Sequence, residues 1–430
     1  MKTYINPSQT GWKEISKRPL ITTESIMPLV QEVFNRVEKD GDKAIREYTA
    51  KFDNVMLSDF RVSENEITQA CEKVADSLKS AIKIAANNIE TFHKIQIANK
   101  EVVETTKGVF CWQESRPIER VGVYIPGGTA PLFSTVLMLG IPARIGGCEK
   151  VVLCTPPNKV GEIDPAILYA AQLVGITEIF KVGGIQAIAS LTYGTATIPK
   201  VFKIFGPGNQ YVTAAKQFAQ QCGIAIDMPA GPSELLVMAD EKSNLDFVAA
   251  DLLSQAEHGE DSQVIAVLSN ESMLKKLTIA IQTQVNILAR KETAAGALQN
   301  SRMIVLNDLN ERINFVNEYA PEHLIIAEQE PETILNKITN AGSVFIGPYT
   351  PESAGDYASG TNHTLPTNGF ATTYSGVNVD AFVKKITVQK ITKNGIKNIG
   401  QTIEIMAEAE QLQAHKNAVT IRLKNLRNEN

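Results

Sequence analysis

Cysteine is scarce in this chain, and its distribution excludes a disulfide framework. Among 430 residues the cysteines are Cys71, Cys111, Cys148, Cys154 and Cys222. An odd, sparse set is typical of a reducing compartment. Cys148 and Cys154 form the single close pair, and Cys154 ends the apolar run VVLC. We interpret both as inert core thiols, because a reactive cysteine needs an electropositive, exposed setting.

Long apolar runs are also lacking. The N-terminal stretch MKTYINPSQTGWKE has no apolar region of the kind that secretory signals carry. No stretch approaches the roughly 20 apolar residues that span a bilayer. We therefore expect a cytoplasmic protein with no membrane partner.

Positive charge is not in excess. The chain has 42 Lys and Arg against 47 Asp and Glu, a net charge of −5. Without a broad basic surface, nucleic acid is excluded as a main partner. With 43% hydrophobic and 21% charged residues the composition is that of a globular protein. Its length predicts two or more domains.

The sequence predicts a helical N-terminal part over residues 1–118. Apolar residues recur at helical spacing over residues 24–50. A second helix is predicted to begin at Ser63, which can form a capping box with Glu66, and to run, with a break, toward His93. We interpret His93 as structural or solvated.

From about residue 119, short β-rich runs alternate with helical ones. The strand candidates are VGVYI (121–125), VVLC (151–154), IFKV (179–182), KIF (203–205), LLVMA (235–239), VIAVL (264–268), MIVL (303–306), HLIIA (323–327) and SVFIG (343–347). Such alternation predicts parallel sheets with crossover helices. We predict an α/β fold with two doubly wound, Rossmann-like domains, 119–232 and 233–377, plus small helical N- and C-terminal segments. Residues 378–430 are predicted to add a short strand, KKITVQKI, and two charged helices.

The G-x-G-x-x-G fingerprint of dinucleotide-binding turns is absent. Three strand ends in the first α/β domain nevertheless carry glycines: Gly127 with Gly128, Gly183 with Gly184, and Gly206 with Gly208. Glycines there let a ligand approach the backbone, and a following helix N-terminus favours phosphate. Tight turns need glycine as well, so both interpretations stay open.

Histidine is rare too, and four of the five lie in polar clusters. QAEHGEDSQ places Gln255 and His258 at i and i+3, on one helical face, with Gly259 suited to the helix C-cap. The alternative is an exposed helix end. The glycine-rich loop at 348–378 carries Asp356 and His363 and favours a functional role.

Two further clusters pair an acid with a histidine. In PEHL, Glu322 and His323 precede an apolar strand, where neighbours point to opposite sides. The pair is either an acid and a base or includes a structural residue. Glu410 and His415 are five residues apart and would not share a face of a regular helix, so a helix break is required for both to serve one site.

Several of these residues form a plausible ligand set for one metal. Two imidazoles, a carboxylate and an amide oxygen suit zinc. The set is Gln255, His258, Asp356 and His415. Spacing alone does not show that the four converge.

Longer segments resemble one family. They are YIPGGTAPLFSTVLML, GPGNQYVTAAK, DMPAGPSELLV, DLLSQAEHGEDSQV, YAPEHLI, TPESAGDYASGTNH and AEAEQLQAHKNAV. These segments, and the order in which they occur over residues 120–420, resemble the histidinol dehydrogenase family. That resemblance implies a homodimeric zinc enzyme of histidine biosynthesis that converts L-histidinol to L-histidine through the aldehyde and reduces two NAD.

The resemblance also implies roles for single residues. One zinc per chain would be held by Gln255, His258, Asp356 and His415. The same four would contact substrate together with Ser233, His323, His363 and Glu410. Tyr124, Gln186 and Asn209 would contact NAD. We also expect the N-terminal part to associate with the second α/β domain, and the tail to be swapped onto the partner chain, where it completes a shared active site.

The reaction assigns chemistry to two of these residues. A neutral His323 suits removal of the hydroxyl proton, and Glu322 suits activation of the water that hydrates the aldehyde. Zinc would serve mainly as a template for the substrate nitrogens. Two other functions compete: a zinc hydrolase, disfavoured by the glycine turns, and a non-catalytic metal-binding module, disfavoured by the intact Glu322–His323 pair.

Overall fold

The computed structural model divides the chain into two compact units. The first unit is Met1–Gln96 with Ile118–Phe382, and the second is Ile97–Pro117 with Val383–Asn430. The residues that the structure describes are 1–19, 25–127, 131–229 and 231–428. Among them, no helix is long and apolar enough to cross a membrane.

Strands and helices alternate through most of the first unit, and the elements are numbered through both units in chain order. The strands are β1 (Lys2–Ile5), β2 (Val102–Thr106), β3 (Val109–Pro117), β4 (Arg120–Tyr124), β5 (Lys150–Thr155), β6 (Glu178–Lys181), β7 (Lys203–Phe205), β8 (Ala225–Ile226), β9 (Glu234–Ala239), β10 (Gln263–Leu268), β11 (Arg302–Val305), β12 (His323–Ala327), β13 (Ser343–Ile346) and β14 (Val383–Ile391). The helices are α1 (Gln9–Ile15), α2 (Met27–Asp40), α3 (Asp42–Phe52), α4 (Glu64–Lys73), α5 (Asp76–Lys94), α6 (Phe133–Gly146), α7 (Pro165–Val174), α8 (Gly184–Tyr193), α9 (Gln210–Gln221), α10 (Leu245–Ala256), α11 (Ser272–Val285), α12 (Lys291–Gln299), α13 (Leu309–Tyr319), α14 (Pro331–Leu335), α15 (Glu352–Tyr357), α16 (Lys393–Ala409) and α17 (Gln413–Asn428).

The first parallel sheet has the strand order β6-β5-β4-β7-β8. The chain winds outward from β4 to one edge and then from β7 to the other, so the switch point lies between β4 and β7. Helices cover both faces, and alternate residues of β4 enter different cores: Val123 packs with α6 and α7, and Tyr124 packs with α8 and α9. Burial on both faces explains why these strands are continuous apolar runs.

The second parallel sheet repeats this topology, with the order β1-β11-β10-β9-β12-β13 and a switch point between β9 and β12. Helices α10 to α12 cover one face, and α1 and α13 cover the other. Two doubly wound parallel-sheet domains are therefore confirmed.

The N-terminal helices do not pack as the sequence analysis expects. Strand β1 pairs with β11, and Trp12 of α1 packs on Phe315, so this short part joins the second sheet. Helices α2 and α3 instead pack beside α8 and α9, and α4 and α5 beside α6 and α7. These four helices therefore pack mainly on the first sheet, because their apolar stripes complete its two cores, although α5 also contacts the second α/β domain through the hydrogen bond from Asn88 to the Ala358 carbonyl oxygen.

Local signals in this part are mostly confirmed. Ser63 caps α4, and its capping box with Glu66 is formed. The helix predicted over 24–50 is broken at Gly41, whose φ is +53°, between α2 and α3. His93 is fully buried, with Nδ1 2.8 Å from the Ile89 carbonyl oxygen, so it is structural and not solvated.

The second unit contains an antiparallel sheet with the order β14-β3-β2 and the helices α16 and α17. Prediction of a helical segment up to residue 118 is thus wrong for β2 and β3. These strands are largely exposed and polar, so they show no apolar alternation, and β3 pairs with β14 across more than 260 residues of sequence.

Candidate active site

Polar side chains gather where the two sheets of the first unit face each other. A cavity of about 280 Å3 is walled by the loop after β7, the segment leading into β9, the segment after α10, Glu322 and residues 363–367. Its first wall follows the carboxyl end of β7, where α/β sheets usually bind ligands. The second sheet contributes the opposite edge, because β9 begins at Glu234 and β12 begins at His323.

The side chains of Glu322 and His323 both form hydrogen bonds with the backbone of one residue of β9. The backbone N–H of Glu234 donates to Glu322 Oε2 over 2.8 Å, and His323 Nδ1 lies 3.1 Å from the Glu234 carbonyl oxygen. Both side chains are at most 7% exposed. They do not point to opposite sides, because Glu322 precedes the first residue of β12 and the alternation of a strand does not apply to it.

These contacts set the tautomer of His323. A carbonyl oxygen only accepts, so Nδ1 must carry the proton that it donates to Glu234. When the ring is neutral, Nε2 therefore holds the lone pair. This atom is buried, has no hydrogen-bond partner among the described residues, and lies 3.7 Å from Asp356 Oδ1. The geometry is that of a base whose reactive nitrogen points into the site.

Buried charge dominates the electrostatics of the site. Burial raises the pKa of Glu322 to about 8, although His323 opposes the rise. Burial alone would lower the pKa of His323, but Glu322, Asp356 and Glu352 outweigh it and raise that pKa to about 10, so the ring is cationic near neutral pH unless a bound cation offsets these carboxylates. Burial also raises the pKa of Glu352 to about 8. A cluster of carboxylates with one imidazole thus favours the addition of positive charge.

The potential ligand atoms for a cation converge beside His323. One donor atom from each of His258, Glu352 and Asp356 lies within 4.8 Å of the others. Gln255, in the last turn of α10, is 1% exposed, and its Oε1 has no hydrogen-bond partner among the described residues. Glu352 Oε1 also lacks a hydrogen-bond partner there and lies 3.8 Å from His323 Nδ1. Unpaired buried acceptors are costly, and this N/O donor set fits a cation such as zinc.

Two details of this cluster differ from the sequence analysis. Helix α10 ends at Ala256 with Glu257 as its C-cap, so His258 lies beyond the helix and Gly259 is not the cap. Glu352 was missed. The signal that could have found it is its i, i+4 spacing to Asp356, which places both carboxylates on one side of α15.

His363 and Ser233 line the same cavity. His363 Nδ1 lies 3.0 Å from the Asp356 carbonyl oxygen and must donate to it, and Nε2 accepts from the Thr135 hydroxyl at 3.1 Å. Burial lowers the pKa of His363. The ring is therefore neutral and can exchange one weak hydroxyl contact for a ligand.

Glu410 and His415 belong to the second unit, and both are exposed. The helix break that they require is present: α16 ends with Glu410 as its C-cap, Gln411 has φ +61°, and α17 begins at Gln413. Glu410 and His415 therefore lie on different helices, which removes the objection that their spacing raised.

The three residues expected to contact NAD line a second cavity of about 580 Å3 at the carboxyl ends of β4 to β7. The Tyr124 hydroxyl accepts from the Gly184 N–H over 3.1 Å. Gln186 is fully buried, and its Oε1 has no partner among the described residues. Asn209 caps α9 with its carbonyl oxygen, which leaves its amide nitrogen for a ligand, and it also lines the first cavity.

The glycines of this region have mixed roles. An added Cβ at Gly127 or Gly183 would lie 2.2 or 2.5 Å from Pro156, so both are required for packing. Gly206 has φ +124°, and its Cβ would lie 2.0 Å from the Tyr124 carbonyl oxygen. Gly128 lies outside the described residues. The cavity, more than the glycine pattern, supports a nucleotide site.

Comparisons with known proteins agree on one family. A model described as histidinol dehydrogenase matches residues 16–423. A histidinol dehydrogenase of Bacteroides thetaiotaomicron is 55% identical over 427 residues, 99% of this chain and 100% of that protein. One of Escherichia coli is 52% identical and covers 96% of this chain and 95% of its own length. The crystal structure of histidinol dehydrogenase from Elizabethkingia anophelis is similar with a TM-score of 0.98, at 59% identity and 99% coverage of both chains.

Proposed function

The chain belongs to the histidinol dehydrogenase family, which makes it an NAD-dependent dehydrogenase, and we propose that it oxidises L-histidinol to L-histidine through L-histidinal with reduction of two NAD. The observation that carries the mechanism is the Glu322–His323 pair, fixed by the Glu234 peptide beside the donor group of His258, Glu352 and Asp356. It places the base His323 and the potential metal ligands beside Glu322 and His258, which line the cavity of about 280 Å3.

In the first oxidation, His323 Nε2 accepts the proton of the substrate hydroxyl while the carbinol C–H leaves as hydride to NAD, which yields the aldehyde. The Nδ1 contact with Glu234 keeps the lone pair on the reactive side. In the second, water adds to the aldehyde with loss of a proton to Glu322, and the hydrate loses hydride to the second NAD and a proton to His323. A pKa of about 8 suits Glu322 to take a proton near neutral pH.

The proposed zinc ligands are Gln255, His258, Asp356 and His415, with Glu352 beside them. When bound, zinc would supply a template for the imidazole and amino nitrogens of the substrate and would offset the negative charge of Asp356 near His323. The unpaired oxygen of Gln255 and the donor convergence at His258 and Asp356 support this set.

Ser233, His363 and Glu410 are proposed to contact the substrate, and Tyr124, Gln186 and Asn209 to contact NAD. Asn209 lines both cavities, which supports hydride transfer from a substrate bound in one cavity to NAD bound in the other. We propose a homodimer in which the tail, residues 378–430, supplies Glu410 and His415 to the partner's site. Their exposure on the second unit is compatible with that role.

The test measures NADH absorbance with L-histidinol, L-histidinal and NAD, and zinc content on the same preparation. Two NADH per L-histidinol, about one zinc per chain, and a loss of 10²- to 10⁴-fold in His323→Asn are expected. Lys275→Asn is the control, because Lys275 is exposed on α11 and lines neither cavity. Turnover without NADH formation would contradict the proposal.

A further inference from the structure

A carboxylate that the proposed reaction does not use lies in the cavity of about 580 Å3 at the carboxyl ends of β4 to β7. Asp53 is the C-cap residue of α3 and lines this cavity together with Tyr124, Gln186 and Asn209. Among the described lining residues it is the one acidic group, and Lys159 is the one basic group. The packing of α3 against α8 brings Asp53 to the cavity, so the sequence motifs around β4 to β7 do not predict it.

The contacts of Asp53 leave it able to accept more hydrogen bonds. Gln186 Nε2 donates to Asp53 Oδ2 over 3.3 Å, a long and weak bond. Within the described part of the chain, no Lys, Arg or His forms an ion pair with Asp53, and burial raises its pKa to about 6. Gln186 Oε1 beside it is buried without a partner. Two acceptors without an ion-pair partner among the described residues therefore face the cavity, an arrangement that a ligand rich in hydroxyl donors would satisfy.

The rest of the cavity shows which part of a dinucleotide fits there. Helices α8 and α9 both begin at this cavity, at Gly184 and Gln210, and helix N-termini favour phosphate. A carboxylate repels phosphate and accepts hydrogen bonds from a diol. The diol of a ribose is the group in NAD that matches Asp53, whereas a ribose that carries a 2′-phosphate would place negative charge against it.

We propose that Asp53 accepts hydrogen bonds from ribose hydroxyls of NAD and that its negative charge excludes NADP. This inference rests on the proposed function, because it takes NAD as the occupant of the cavity. Asp53 is thus a specificity-determining residue for the cofactor, contributed by the N-terminal helices and not by the sheet.

The test is direct titration of the protein with NADH and with NADPH, followed by nucleotide fluorescence and calorimetry, in the wild type, Asp53→Asn and Asp53→Ala. The wild type should bind NADH and reject NADPH. Loss of a charged acceptor should weaken NADH binding by about 10- to 100-fold and should reduce the preference over NADPH by a similar factor. Glu38→Gln, which removes an exposed carboxylate from α2, is the matched control and should leave both affinities unchanged.

Three results separate the possibilities. No NADH binding by the wild type would overturn the proposed function and this inference together. NADH binding with unchanged affinity and unchanged preference in both Asp53 variants would overturn the inference alone. If a variant binds neither nucleotide, its melting temperature shows whether it is folded. A native melting temperature with lost NADH binding supports the role of Asp53. Asp53→Asn keeps the shape of the side chain and supplies the preference ratio if Asp53→Ala is unfolded.

Discussion

The backbone N–H of Glu234 donates to the carboxylate of Glu322 over 2.8 Å, where strands β9 and β12 begin. The same residue accepts from His323 through its carbonyl oxygen. Its side chain is held in turn by Arg18, with Nε–Oε1 at 2.5 Å and Nη2–Oε2 at 2.9 Å, and by the backbone N–H of Asn368. The position of the acid–base pair therefore depends on a buried ion pair outside the cavity.

Replacing Arg18 by alanine should lower both stability and turnover. It leaves Glu234 buried without its counter-charge, which typically costs about 3–5 kcal/mol in the free energy of unfolding. The kcat should fall more than the substrate KM changes, and Arg18→Lys should recover part of the kcat. Arg36→Ala removes two exposed ion pairs, with Asp40 and Glu47, and should change stability far less than Arg18→Ala does. Denaturant unfolding and steady-state kinetics measure both; equal effects of the two variants would contradict the prediction.

The sheets could be predicted from the sequence because their strands are buried on both faces. Runs such as VVLC and LLVMA have no polar interruption. Strands β2 and β3 could not be predicted in this way. Their residues are mostly exposed, and they are strands because β14, more than 260 residues later, supplies their hydrogen bonds.

The site was predictable as a set of residue types and not as an arrangement. Clusters around His258, Asp356 and Glu322 stand out by composition, but their convergence depends on the crossing of α10, α15 and the start of β12. Glu352 and Asp53 were missed because each takes its role from packing: one is a turn of helix away from Asp356, and the other ends a helix that docks on a different domain.

Loss of metal should follow from changes in the donor cluster. We expect His258→Ala to remain folded, because its side chain is 43% exposed, and to lose both zinc and activity. Glu352→Gln should bind zinc about 10- to 100-fold more weakly, as typical for a residue that supports ligands. Glu332→Gln, on α14, is the exposed control. Metal analysis after dialysis checks this, and one full equivalent of zinc retained by His258→Ala would rule out its assignment as a ligand.

Sharing of the site between chains should appear in hybrid dimers. Glu322→Gln and His415→Ala should each lose turnover of L-histidinol to L-histidine, because one lacks the carboxylate proposed for the second oxidation and the other a proposed metal ligand from the tail. When the two are mixed and exchanged, half of the sites in each hybrid combine two wild-type contributions, so activity should return to a substantial fraction of the wild-type value. The assay is NADH formation after mass measurement confirms hybrids. Confirmed hybrids without activity would place the complete site within one chain.

Affinity for NAD should depend on pH through Asp53. Burial raises the pKa of this carboxyl to about 6, so it is mostly protonated at pH 5 and mostly ionised at pH 7. The ionised form is the stronger acceptor, so affinity should rise as pH increases through about 6 and should level off above it. Tyr124, Tyr211 and Lys159 also face the cavity, and burial raises the pKa of Tyr124 above its usual range. Calorimetric titration with NAD from pH 5 to 7.5 measures the change, and Asp53→Asn should be flat; an equal slope in that variant would exclude Asp53 as its source.

The two oxidation steps should respond differently to changes in Glu322 and His323. Water is consumed in the second step alone, so Glu322→Gln should slow oxidation of supplied L-histidinal much more than oxidation of L-histidinol. The amide keeps the shape of the side chain and can still accept from the Glu234 N–H, but it cannot take a proton, and such a loss typically costs 10²- to 10⁴-fold.

A proton leaves in both steps, so His323→Asn should depress both half-reactions. Single-turnover measurements with each substrate and excess NAD separate them. If Glu322 only holds His323 in place, both steps should fall together in Glu322→Gln. Equal losses would therefore remove water activation from the role of Glu322, while the contact of Glu322 with the Glu234 peptide would then account for its effect through the orientation of its neighbour.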